Sequence, residues 1–196
     1  MKREMRITLI NVKPEVFATS AAPSEVACGA LGFLRDLLVY GASIPPSDFR
    51  AIGVLQGLWE PGPFGIELRG RLSRNTPIVT YTLFCDGRDR GSIISETLQY
   101  RHGNSGAPTR VIEFVEGSGR LVANEFSWSC RGSGLEYRQM KVPQGRLALF
   151  TAMQDGNFVT AKQLGNFLLY ANDRHSPAPV VTLVSKMVTK NVPVCE

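Results

Sequence analysis

Ile66-Glu67-Leu68-Arg69-Gly70-Arg71-Leu72 decides how this chain folds. Successive strand side chains point to opposite faces, so Ile66, Leu68, Gly70 and Leu72 share one side and Glu67, Arg69 and Arg71 the other. The stretch predicts a strand with an apolar face toward a core and a charged face toward solvent. More strand patterns follow: Pro77–Cys85, a turn at 86–91, Ser92–Tyr100, and a polar Gly/Pro-bearing loop at Arg101–Thr109. Arg110–Phe114 and Leu121–Cys130 read as a hairpin joined by Glu116-Gly117-Ser118-Gly119, with a further strand in Leu135–Val142.

Upstream, Arg6–Val12 is a short β-branched strand ended by Pro14. Pro23–Tyr40 reads as a helix. Pro23 suits a first turn, Val26, Ala27, Ala30, Leu31, Leu34, Leu37 and Leu38 share one face, and Gly41 terminates it. Ser47–Trp59 reads as a second helix, capped by Ser47 or Asp48. Leu147–Phe150 fits strand or helix. Asn157–Ala171 reads as a helix capped by Asn157, with Phe158, Ala161, Leu164 and Leu168 on one face, and Val180–Val188 as a terminal strand. The expectation is an α+β fold in a single compact domain. A mainly antiparallel sheet packs against two N-terminal helices and one C-terminal helix. Residues 1–15 form an N-terminal strand and arm, and 16–196 the globular part.

With 196 residues, 43% hydrophobic and 20% charged, the chain can bury a sizeable core and has a globular composition. No apolar run reaches the roughly 18–20 residues of a membrane span. The segment after Met1-Lys2-Arg3 is interrupted by Lys13, Pro14 and Glu15 and does not read as a secretory signal, which predicts a reducing compartment. Cys28, Cys85, Cys130 and Cys195 lack metal or redox spacing and read as buried free thiols.

Reactive constellations are weak. His102 and His175 lie in polar loops, and no nucleophile elbow, metalloprotease, P-loop or dinucleotide fingerprint occurs. The glycine runs at 117–119 and 132–134 read as hairpin turns. The acid pairs Glu113/Glu116 and Asp86/Asp89 border turns and read as solvated. The chain is therefore expected to be no enzyme, with no catalytic residue, cofactor or metal.

The net charge of +5 favours anionic partners. Arg69, Arg71, Arg74, Arg88 and Arg90, with Lys2, Arg3 and Arg6, form one positive face if their strands are neighbours. That face is either a solvated sheet surface or a contact for lipid or RNA. Trp59, Pro61, Pro63 and Phe64 make an aromatic–proline loop. It either closes the core or serves as an apolar self-association plug.

Gln154–Leu169, a polar turn, an aromatic residue and then a helix of basic and apolar positions, resembles the C-terminal helix of rhabdovirus matrix proteins. In both, an irregular connection and a terminal strand follow. Arg6–Val12, Pro23–Tyr40 and Phe49–Leu58 look like that family's first strand and two following helices, and Phe64–Leu72 falls where the family has a comparable strand. The resemblance covers about two thirds of the chain and consists of pattern and order. It implies a non-enzymatic viral matrix protein of the virion. Such a protein self-associates into a homo-oligomer beneath the envelope, binds anionic phospholipid membrane, condenses the viral nucleoprotein–RNA complex, and drives virus assembly and budding. Viral glycoprotein and host factors are further implied partners, and host cytoplasm and membranes further locations. The long lysine-rich N-terminal tail and the Pro-Pro-x-Tyr and Pro-Thr-Ala-Pro motifs of the family do not occur, which leaves residues 1–15 as the candidate arm. The competing readings are an RNA-binding protein such as a viral silencing suppressor, and a small β-sandwich capsid protein.

Overall fold

In a computed structural model, residues 5–11, 23–41, 62–72, 76–86, 92–101, 107–123, 135–154, 158–170 and 180–184 are described. They form an eight-stranded sheet and three helices. The strands are β1 (Met5–Ile10), β2 (Pro63–Gly70), β3 (Ile78–Asp86), β4 (Ser92–Arg101), β5 (Thr109–Val115), β6 (Ser118–Val122), β7 (Tyr137–Lys141) and β8 (Val180–Val184). The helices are α1 (Pro23–Tyr40), α2 (Ala148–Gln154) and α3 (Val159–Tyr170). The spatial order is β7-β6-β5-β4-β3-β2-β1-β8. Neighbours from β7 to β1 pair antiparallel, and β8 closes the far side by pairing parallel with β1. The class is α+β with a mainly antiparallel sheet.

Strand alternation places the core on one face. Ile7, Leu68, Tyr81, Leu98, Ile112 and Leu121 stand opposite one another across six strands, and all are buried. The next inward row runs Leu9, Ile66, Leu83, Glu96, Phe114. The helices cover this face. From α1, Ala30, Leu31, Phe33, Leu34, Leu37 and Leu38 enter the core, and the Phe33 and Phe64 rings lie 6.0 Å apart. Ala148, Leu149 and Ala152 of α2, and Ala161, Leu164 and Leu168 of α3, join them. The segment from Leu147 thus resolves as a helix after Leu147 itself.

Local chemistry sets the boundaries. β1 stops at Ile10 because Asn11 takes a left-handed φ of 66° and donates through Nδ2 to the Pro63 carbonyl at 2.7 Å. Gly41 ends α1 at φ 72°, and a Cβ there would stand 2.9 Å from the Gly145 carbonyl. The β5–β6 hairpin turns on two residues, Glu116 and Gly117, both at positive φ. The four-residue connection expected from sequence is thereby shortened. Ser118 and Gly119 already belong to β6, and Gly119 opposes Phe114 where a Cβ would strike the Phe114 backbone.

One cysteine departs from expectation. Cys85 is buried, whereas Cys28 is exposed, because at 100° per residue it falls on the side of α1 opposite Ala30 and Leu34. The second N-terminal helix, Ser47–Trp59, the caps at Ser47, Asp48 and Asn157, Cys130, Cys195 and strand residues beyond Val184 lie outside the described residues.

Candidate anion-binding face

The sheet face opposite the helices carries the site. Arg6 of β1 stands directly across from Arg69 of β2, and the same row continues through Thr80 of β3, Gln99 of β4 and Arg110 of β5. Four strand spacings of about 4.8 Å make this row roughly 19 Å long. Arg6, Arg69 and Arg110 are exposed, while Thr80 and Gln99 are half-buried.

Arg110 reaches this face through an irregularity. Strict alternation from Ile112 would turn it inward. A bulge shifts the register between Leu98 and Gln99, so that Gln99 opposes Arg110 while Val111 and Ile112 are both buried. There Arg110 and Arg120 both pair with Glu113, the Arg120 Nε lying 2.8 Å from it. Arg120 also lies over the Tyr137 ring at 4.7 Å, and the Tyr137 hydroxyl donates to the Arg110 carbonyl at 3.1 Å.

Arg6 and Arg69 have no such compensation. Like charges directly opposite on a strand pair repel, and among the described residues neither forms an ion pair or side-chain hydrogen bond. Arg101, two residues beyond Gln99 on the same face, is likewise unpaired among them. Arg69, Thr80, Gln99 and Arg101 line a recess of about 170 Å3, together with Glu67, Ile78, Tyr100 and Pro108.

The residues singled out from sequence are thus partly united. Arg6 and Arg69 are neighbours. Arg71 follows them but spends its Nη1 on the Thr76 carbonyl at 2.5 Å. Lys2, Arg3, Arg74, Arg88 and Arg90 lie outside the described residues, as do His102, His175, Asp89, Trp59 and Pro61. Pro63 is exposed, but Phe64 is 5% exposed and packed on Phe33, which removes it from any surface plug. The apolar alternation of β2 carries its ring inward. Glu113 is committed to two arginines and Glu116 to the hairpin turn, so the two do not form an acid–base pair.

Glu96 escaped the sequence reading. It is 1% exposed on the core face of β4. Its carboxylate accepts the Ala148 amide at 2.6 Å, the Leu149 amide at 2.9 Å and the Tyr81 hydroxyl at 3.0 Å. Burial pushes its pKa up to about 7, opposed by these three donors. The signal was legible in period 2: Glu96 precedes Leu98 and Tyr100 at inward positions. It borders a groove of about 720 Å3 between the start of β4 and the 142–146 turn. With both oxygens engaged by the start of α2, it serves as a helix cap.

Among the described residues no three His, Cys, Asp or Glu side chains gather as a metal site, and no helix is long and apolar enough to cross a membrane. No protein-family model, curated protein or solved structure matches the chain.

Proposed function

We propose that this chain is a non-enzymatic viral matrix protein that binds anionic membrane through the open face of its sheet, self-associates, and condenses the nucleoprotein–RNA complex beneath a virion envelope. The observation that carries the anionic contact is the juxtaposition of Arg6 and Arg69, facing solvent with no ion pair to a carboxylate among the described residues. An anionic surface would relieve their repulsion, and an array of copies would multiply individually weak contacts. The matrix assignment itself draws on the resemblance in segment order, from the first strand and helix to the helix–strand ending.

One observation favours a second reading. Tyr137, 40% exposed with Arg120 stacked on it, is an aromatic–cation pair of the kind that receives a nucleic-acid base. Under that reading the chain binds RNA directly.

Co-sedimentation with liposomes, with and without phosphatidylserine and across a salt series, tests the proposal together with light scattering of the unbound fraction. Binding that requires anionic lipid, weakens with salt and accompanies self-association is expected. A monomer that ignores vesicles and binds RNA steeply with falling salt would replace it with the second reading.

A further inference from the structure

We propose that the recess between Arg69 and Arg101 is a binding site for one compact phosphate-class oxyanion, a phosphomonoester or phosphodiester group. The inference rests on the anionic-contact reading above and gives that contact a defined seat.

Three observations carry it. The first is shape. About 170 Å3 is far more than one water needs, yet below the roughly 300–1,000 Å3 of pockets that enclose drug-sized ligands. A phosphoryl group fits that interval.

The second is chemistry. Arg69 on β2 and Arg101 on β4 flank the recess from either side of β3, and each guanidinium presents a planar set of donors suited to a tetrahedral oxyanion. Between them Thr80 offers a hydroxyl and Gln99 an amide, both neutral donors on the central strands.

The third is charge. Arg6 stands across from Arg69 and raises the local positive potential, while Glu67 is the one carboxylate among the described residues of the wall. Without an anion the two arginines of the β1–β2 pair repel. With one bound, the same arrangement becomes attractive.

The rest of the open face lacks this combination. Arg110 and Arg120 are already neutralised in part by Glu113, and Arg71 has one donor occupied by the Thr76 carbonyl while keeping its charge. Glu67→Gln should therefore strengthen binding, because it removes a carboxylate from the recess wall.

The test uses the full chain with inorganic phosphate followed by NMR or calorimetry, then vesicles containing phosphatidylglycerol, then single-stranded RNA. The variants are Arg69→Ala, Arg101→Ala, Glu67→Gln and, as a surface-charge control, Lys141→Ala on the distant edge strand. Circular dichroism and urea midpoints show that each is folded. Phosphate is expected to bind, with Arg69→Ala and Arg101→Ala each weakening it about tenfold or more, Glu67→Gln tightening it and Lys141→Ala leaving it within about twofold. Vesicle binding lost in the same two variants would identify a lipid headgroup as the source. Phosphate binding by a protein that ignores vesicles would point to a free phosphate ester, retaining the site while removing the membrane reading. Vesicle binding unaffected by Arg69→Ala and Arg101→Ala would overturn the recess and leave the membrane reading standing. Equal losses in Arg69→Ala, Arg101→Ala and Lys141→Ala, or an Arg69 dependence confined to long RNA with no response to phosphate, would also overturn it.

Discussion

Glu96 Oε2, in the middle of β4, accepts the amide proton of Ala148 at 2.6 Å, so that a sheet residue caps a helix 52 positions further along the chain. The Leu149 amide and the Tyr81 hydroxyl complete the set. One carboxylate therefore fixes where α2 starts and how it docks on the sheet.

Replacing Glu96 by Ala strands three buried donors at once. Each unsatisfied buried group costs about 1–3 kcal/mol, so Glu96→Ala is expected to lower the unfolding free energy by roughly 3 kcal/mol or more. Urea denaturation followed by circular dichroism measures this. A loss under about 0.5 kcal/mol, the range of an ordinary surface substitution, would show that the cap contributes little.

The same carboxyl makes stability depend on pH. Its pKa rises from the ordinary 4.5 to about 7 in the folded chain through burial. The folded state thus holds the proton more tightly than the unfolded state. The contribution of Glu96 is complete below about pH 4.5 and is lost as pH rises through about 7, to a total of up to about 3 kcal/mol. Glu96→Gln should flatten this part of the profile. Parallel urea-midpoint curves for the wild type and Glu96→Gln between pH 4.5 and 8 would refute it.

Phe64 separates core from contact surface. Its ring is buried against Phe33, so Phe64→Ala should cost about 3–5 kcal/mol of stability. Whatever self-association the folded protein shows should be retained. Light scattering and thermal unfolding of the same sample read both. Loss of assembly at unchanged stability would restore the plug reading.

Gly119 has no room for a side chain. A Cβ would collide with the Glu113 carbonyl and the Phe114 backbone, neither of which can swing aside. Gly119→Ala is expected to destabilise by about 1–3 kcal/mol or more. A urea midpoint for Gly119→Ala equal to that of the wild type would contradict the packing argument.

Much of the fold was legible because it follows from local pattern. The apolar stripe of Ala30, Leu31, Leu34, Leu37 and Leu38 and the stop at Gly41 predicted α1 as it stands. The alternation of Ile66, Leu68 and their neighbours predicted β2, and Phe158, Ala161, Leu164 and Leu168 predicted the inner face of α3. The candidate site was legible only in part. Arg6 and Arg69 were named as members of one face, but their direct opposition depends on the β1–β2 register, set by contacts about 60 residues apart in sequence.

By itself, then, the sequence determined which residues alternate, which stripe a helix and where glycine breaks a run, because these depend on a few consecutive backbone angles. Tertiary structure decided the rest. It set the parallel place of β8 beside β1, the bulge that turns Arg110 outward, the burial of Glu96 under α2 and the convergence of Arg69 and Arg101 on one recess. Each depends on strand order and register, which are chosen by the free energy of the whole packed sheet.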